Sequence, residues 1–131
     1  MFMLAFDREN QVLLVRFSGV FSSEDVAGLD QAVLSLIARE GPADAIVDFS
    51  PIEAWAFPMT KLIQRAQQPP MSKGHRRVYV TARPEFAEAM LAFATEQRLA
   101  GADSPSIVST FDEALRELTL ADPKFEVIAE S

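Results

Sequence analysis

The sequence predicts an α/β fold: one domain with an N-terminal β-hairpin, followed by helices and parallel strands alternating in a mixed sheet. Three observations carry this. Two strand-like runs, Met3 to Asp7 and Val12 to Ser18, are separated only by the polar Arg8-Glu9-Asn10-Gln11, which suits a hairpin. Beyond them, each apolar strand-like run precedes a segment with apolar residues at helical spacing, and strands joined through helices return in parallel. The 131 residues fit a single domain, with no internal repeat, low-complexity tract or linker.

Each element has its own signal. Gly19 breaks the second strand, and Ser22-Ser23-Glu24-Asp25 supplies an N-cap with acidic residues in the first turn. Val26, Leu29, Val33, Leu36 and Ile37 then mark one face of a long helix that Gly41-Pro42 ends. Ala45-Ile46-Val47 before Asp48 reads as a buried strand, and Pro51 to Phe57 as a loop with an unusual share of large apolar groups. A second helix opens at Pro58, with Met59, Leu62, Ile63 and Ala66 on its inner face, and breaks at Pro69-Pro70. Arg77 to Thr81 form the next strand, and Pro84 sits at the first position of a third helix that buries Phe86, Ala89, Met90 and Phe93. After a loop from Gly101 to Pro105, Ser106 to Ser109 form a short strand. Thr110-Phe111-Asp112-Glu113 then cap a final helix carrying Ala114, Leu115 and Leu118 inward. The domain is expected to span 1–122, with 123–131 a tail that is either an edge strand or disordered.

Composition narrows the function classes. The absence of cysteine removes disulfides, thiolate nucleophiles and cysteine-bound metals, and fits a reducing cytoplasmic setting. The apolar start Met1 to Phe6 lacks a basic leader region and meets Asp7 early, so it reads as a strand rather than a signal peptide. No run reaches the roughly 18–20 apolar residues of a transmembrane helix. The net charge of −7 disfavours nucleic acid and anionic membrane surfaces as partners. The one basic cluster, Lys73, His75, Arg76 and Arg77, reads as charges flanking the start of a buried strand.

The hairpin, Gly19 before a long helix, the strand Ala45-Ile46-Val47-Asp48-Phe49-Ser50 and the final Thr110-Phe111-Asp112-Glu113-Ala114-Leu115 resemble the STAS family. These are the sulphate-transporter and anti-sigma-factor-antagonist domains, SpoIIAA-like proteins included. The resemblance implies a non-catalytic regulatory module whose protein partner, a kinase or sigma-factor regulator, docks at the corner after that strand. In the family an Asp-Ser-Ser-Gly turn there carries the phosphorylated serine. Here Ala56-Phe57-Pro58-Met59 stand at that place, so the family's phosphoacceptor is missing. Ser50 and Thr60 are the nearest hydroxyls, and an edge serine near the core and a solvent-facing helix threonine explain them more simply.

No enzyme chemistry is legible. There is a single histidine, His75, and neither a glycine-rich phosphate loop nor a nucleophile elbow around Ser50. Asp48 and Ser50, two apart on a strand, should share a face, but only an unexpected convergence with His75 or Arg83 would give them chemistry. No metal site and no cofactor is implied. The remaining argument is geometric, because ligands of α/β sheets meet the rim beyond the carboxyl ends of parallel strands. That rim would carry Ser50 through Phe57, then Thr81 to Arg83, then Ser109 and Thr110. The candidate partner- or ligand-binding residues are therefore Ser50, Trp55, Phe57, Pro58, Thr60, Lys61 and Arg83. Two readings follow: an adaptor that docks a protein through this corner and the exposed side of the second helix, with Thr60, Lys61, Gln64 and Arg65, and a binder of a small apolar or lipid-like ligand between the Trp55 loop and the first or second helix. Unpaired strand edges at the hairpin or tail also raise a possible homodimer.

Overall fold

The computed structural model describes residues 1–131. The hairpin forms as expected, with β1 (Phe2–Asp7) antiparallel to β2 (Val12–Phe17). Asp7 fixes its turn by accepting the Asn10 backbone N–H at 3.0 Å and the Asn10 side-chain amide at 2.8 Å. Helix α1 (Ser23–Glu40) starts with a reciprocal capping box between Ser22 and Asp25 and stops at Gly41, whose φ of 87° glycine adopts without strain. Strand β4 (Asp44–Asp48), helix α2 (Met59–Ala66), strand β6 (Arg77–Val80), helix α3 (Pro84–Leu99), strand β7 (Ser106–Val108) and helix α4 (Phe111–Glu117) follow.

The main sheet has six strands in the order β7-β6-β4-β2-β1-β8, where β8 is Glu126–Glu130. Strands β2, β4, β6 and β7 are parallel neighbours, so each of α1, α2 and α3 is a crossover stepping in the same direction. Crossovers that share a direction and a hand place their helices on one face. That face carries Leu4, Phe6, Leu13, Val15, Phe17 and Ala45 against Leu29, Val33 and Leu36 of α1, Leu62 and Ala66 of α2, and Phe86, Met90 and Phe93 of α3. The opposite face, with Val12, Leu14, Ile46, Val78 and Val80, is covered by Ala114 and Leu118 of α4 and by Phe125. The chain crosses this second face from β7 to the far edge, where β8 pairs antiparallel with β1. No helix is long and apolar enough to cross a membrane.

Three expectations are corrected and one left open is decided. Pro51 to Phe57 is not merely a loop, because Ile52–Trp55 form β5, paired in parallel with β3 (Gly19–Phe21) as a separate two-stranded sheet. Gly19, with φ of 67°, turns the chain out of β2 so that this short strand can begin, rather than only ending the one before. Of the two readings of the tail, edge strand or disordered, the strand is the one observed, because Lys124 N–H donates to buried Asp7 at 3.1 Å and steers the chain onto β1. The hairpin therefore has no free outer edge. Met59 is 46% exposed although its spacing predicted burial, since Phe57 already fills the core at the start of α2.

Candidate functional site

The rim beyond the carboxyl ends of the parallel strands is filled by aromatic rings. Phe21 packs on Phe17, Phe49, Trp55 and Phe57 with ring centroids 4.6, 5.4, 4.8 and 5.5 Å away. Trp55 also meets Phe86 at 5.5 Å, and its indole N–H donates to the Phe57 carbonyl at 2.8 Å. Phe57 is buried and Trp55 half-buried. Pairing of β3 with β5 brings these rings together, since Phe21 lies opposite Trp55 in the register. Both aromatics thus serve the core, and the space left among them is only about 90 Å³.

The other residues expected at this corner separate. Ser50 is exposed in the turn after β4 instead of lying at a buried edge, and its backbone N–H donates to Asp48 Oδ1 at 2.9 Å. The strand ends before Ser50, so the alternation that would align its side chain with Asp48 stops. Asp48, 4% exposed, also accepts from Arg16 Nε at 2.8 Å. His75 lies at the opposite end of β4, with Nδ1 3.2 Å from Asp44. Five strand residues place the ends of β4 roughly 13 Å apart, so Ser50, Asp48, His75 and Arg83 form no common site. Arg83 caps α3, pairs with Glu85 at 2.7 Å, donates to the Glu53 carbonyl at 3.1 Å and lies 4.2 Å over the Phe86 ring. It ties β5 to α3. Pro58 and Thr60 face solvent at the start of α2.

A larger space opens elsewhere, on the inner face of the sheet between α1 and α2. This cavity is about 470 Å³, within the range of roughly 300–1,000 Å³ that holds small ligands. Strand register lays its floor in two rows, Leu13, Ala45 and Arg77, then Val15, Val47 and Tyr79. Leu29, Val33 and Ile37 of α1 form one wall, and Phe93 and Gln97 of α3 stand at the other end. Lys61, Gln64 and Arg65 of α2 line the opening, together with the segment from Gln68 to Ser72. Six residues, Leu29, Val47, Phe57, Arg65, Tyr79 and Phe93, border both this cavity and the smaller aromatic one, so the two spaces adjoin.

Its polar groups are asymmetric. Arg65 bridges the opening with a two-pronged pair to Asp30, at 2.6 and 2.7 Å. That hydrogen bonding raises the Arg65 pKa above its ordinary value, against the opposing effect of burial. Arg77, half-buried at the first position of β6, donates to Gln97 Oε1 at 3.1 Å and to the Asp103 carbonyl, and has no carboxylate partner. Lys61 reaches only the Ser23 hydroxyl, at 3.3 Å.

No family model matches this chain, and no curated protein matches it. The cavity is therefore read from its own chemistry. Of the residues expected at the strand–helix corner or on the exposed side of the second helix, Phe57, Lys61, Gln64 and Arg65 line it. Asp30, Arg77, Tyr79 and Gln97 were missed as site residues, and Arg65 was expected on the exposed side of the second helix, yet one signal was present. In Arg77-Val78-Tyr79-Val80 the valines mark one buried face, which leaves Arg77 and Tyr79 together on the other.

Proposed function

We propose that this chain is a non-catalytic, STAS-like binding module that holds a small apolar or lipid-like molecule in the cleft between α1 and α2. The observation that carries this reading is the cavity of about 470 Å³ with a floor of Leu13, Val15, Ala45 and Val47 and polar groups at its opening. Protein interiors are otherwise packed to crystal-like density, and a space of this size leaves its apolar lining without contacts that a ligand would restore. The hairpin and the alternating parallel strands support the STAS-like part of the reading. The buried Phe57, at the place of the family's phosphoacceptor turn, fits ligand holding better than a phosphorylation switch.

A protein partner at the start of α2 is the second reading, favoured by Met59, 46% exposed beside exposed Pro58, Thr60 and Lys61. It loses Trp55 and Phe57 as anchors, since both are engaged in the core.

Native mass spectrometry of the protein captured from its own cells separates these readings, with Ala45→Phe and Met59→Asp variants alongside. A small bound mass lost in Ala45→Phe, which fills the floor, is the expected result. A stoichiometric protein lost in Met59→Asp would favour the partner instead, and bare protein throughout would count against both.

A further inference from the structure

We infer that the ligand of this cleft is an amphiphile with a single anionic head, and that Arg77 is the residue that receives the head. This rests on the ligand-binding reading above. The charged side chains lining the cavity are Asp30, Lys61, Arg65 and Arg77, three cations and one carboxylate in a chain whose net charge is −7. Arg65 consumes the carboxylate, because both oxygens of Asp30 are taken by its guanidinium. Arg77 and Lys61 remain as positive charges without a carboxylate partner.

Arg77 is the better placed of the two. It shares the inner face of β6 with Tyr79 and continues the floor row of Leu13 and Ala45. Holding a guanidinium on the packed face of a sheet costs desolvation that the neutral acceptors Gln97 Oε1 and the Asp103 carbonyl offset only in part. Guanidinium carries five N–H donors, and these contacts use two of them. A carboxylate or phosphate monoester meets the remaining donors in the fork geometry that arginine favours. An apolar body along Val15, Val47 and Leu29 then points from that head toward the aromatic cluster. Dodecanoate matches this description, whereas dodecanol keeps the apolar body and lacks the charge.

Titration of the purified full chain with each probe, at pH 8 and low salt and below micelle formation, tests the assignment. Calorimetry and the emission of the single tryptophan, Trp55, which borders the adjoining aromatic space, serve as readouts. Dodecanoate is expected to bind at least about tenfold more tightly than dodecanol, equivalent to roughly 1.4 kcal/mol. Arg77→Met, which keeps bulk and removes charge, is expected to bring the two probes within about twofold while dodecanol affinity stays unchanged. Lys61→Met, on an exposed helix position, should leave most of the preference intact.

Equal affinity of the native protein for both probes would overturn the anionic head and leave the ligand-binding reading standing. Binding of neither would overturn both. A preference that survives Arg77→Met but disappears in Lys61→Met would overturn the assignment to Arg77. Should Arg77→Met fail to fold, the native comparison still decides whether the head is anionic. An Arg77→Gln variant, which also removes the charge, then takes its place: loss of the preference in a folded Arg77→Gln keeps the assignment, and its retention removes the assignment.

Discussion

Arg65 of α2 grips Asp30 of α1 through both terminal guanidinium nitrogens, at 2.6 and 2.7 Å, across the opening of the cavity of about 470 Å³ on the helical face of the sheet. The pair closes a gap that apolar packing leaves open. Helix α2 packs against α3, while its ties to α1 at this opening are this ion pair and the longer contact from Lys61 to Ser23. The pair is thus a latch between two helices as well as part of the cavity lining.

Arg65→Met is expected to loosen α2 without unfolding the sheet. With Arg65 and Asp30 side chains 37% and 28% exposed, the loss should be about 1 kcal/mol rather than the larger cost of breaking a fully buried pair. Hydrogen exchange checks this: amides of α2 should exchange faster while those of β2 and β4 keep their protection. Uniform change across the chain would argue against a local latch.

The aromatic corner behaves as core, so its variants are expected to report on stability first. Phe57→Ala should cost about 3–5 kcal/mol, whereas Thr60→Ala at an exposed helix position should cost under about 0.5 kcal/mol. Trp55→Phe removes the hydrogen bond to the Phe57 carbonyl and should cost about 1 kcal/mol. Urea unfolding of these variants provides the comparison, and a native-like midpoint for Phe57→Ala would contradict the packing described.

Asp48 is buried with two charge-assisted contacts, one from Arg16 and one from the Ser50 N–H. Removing Arg16 leaves that carboxylate poorly compensated. Arg16→Met is expected to destabilise by about 2 kcal/mol, less than a fully buried pair because the Arg16 side chain is 36% exposed. The double variant Arg16→Met with Asp48→Leu should recover part of that loss, which a double-mutant cycle measures.

Asp7 gives the fold a defined acid sensitivity. Burial raises its pKa, but hydrogen bonds from the Asn10 side chain and from the backbone N–H groups of Asn10, Lys124 and Glu9 outweigh it and hold the value below the ordinary 3.8. A carboxyl with a lowered folded pKa contributes stability that is fully present above 3.8 and is lost as pH falls through the folded value. The stability difference between the native chain and Asp7→Asn should therefore be constant near neutrality and shrink below about pH 4. An undiminished difference at pH 3 would show that the charge is not responsible.

The same carboxylate ties the tail to the hairpin. Deleting residues 123–131 removes β8 and exposes the paired edge of β1, whose backbone groups then seek another strand. The shortened chain is expected to be less stable and to self-associate with rising concentration, as seen by light scattering. A stable monomer would show that β8 is dispensable as an edge cover.

Local sequence determined much of the fold. Capping at Ser22 and Thr110, proline at Pro84 and the spacing of Leu29, Val33 and Leu36 are short-range signals, and each produced its helix. The apolar runs around Leu14, Ile46 and Val78 likewise became neighbouring strands because both of their faces are covered. Tertiary structure alone decided the pairing of β3 with β5, since their partners lie more than thirty residues apart and neither strand exceeds four residues. It also decided the candidate site. Whether Trp55 and Phe57 fold back onto the core or face a partner was left open by the sequence, which shows the size of an aromatic side chain but not the ring it will meet. That Asp30, Arg65 and Arg77 border one cavity was not legible, because a cavity is an absence of packing among elements distant in the chain, and periodicity within one element carries no record of where its neighbours fall short.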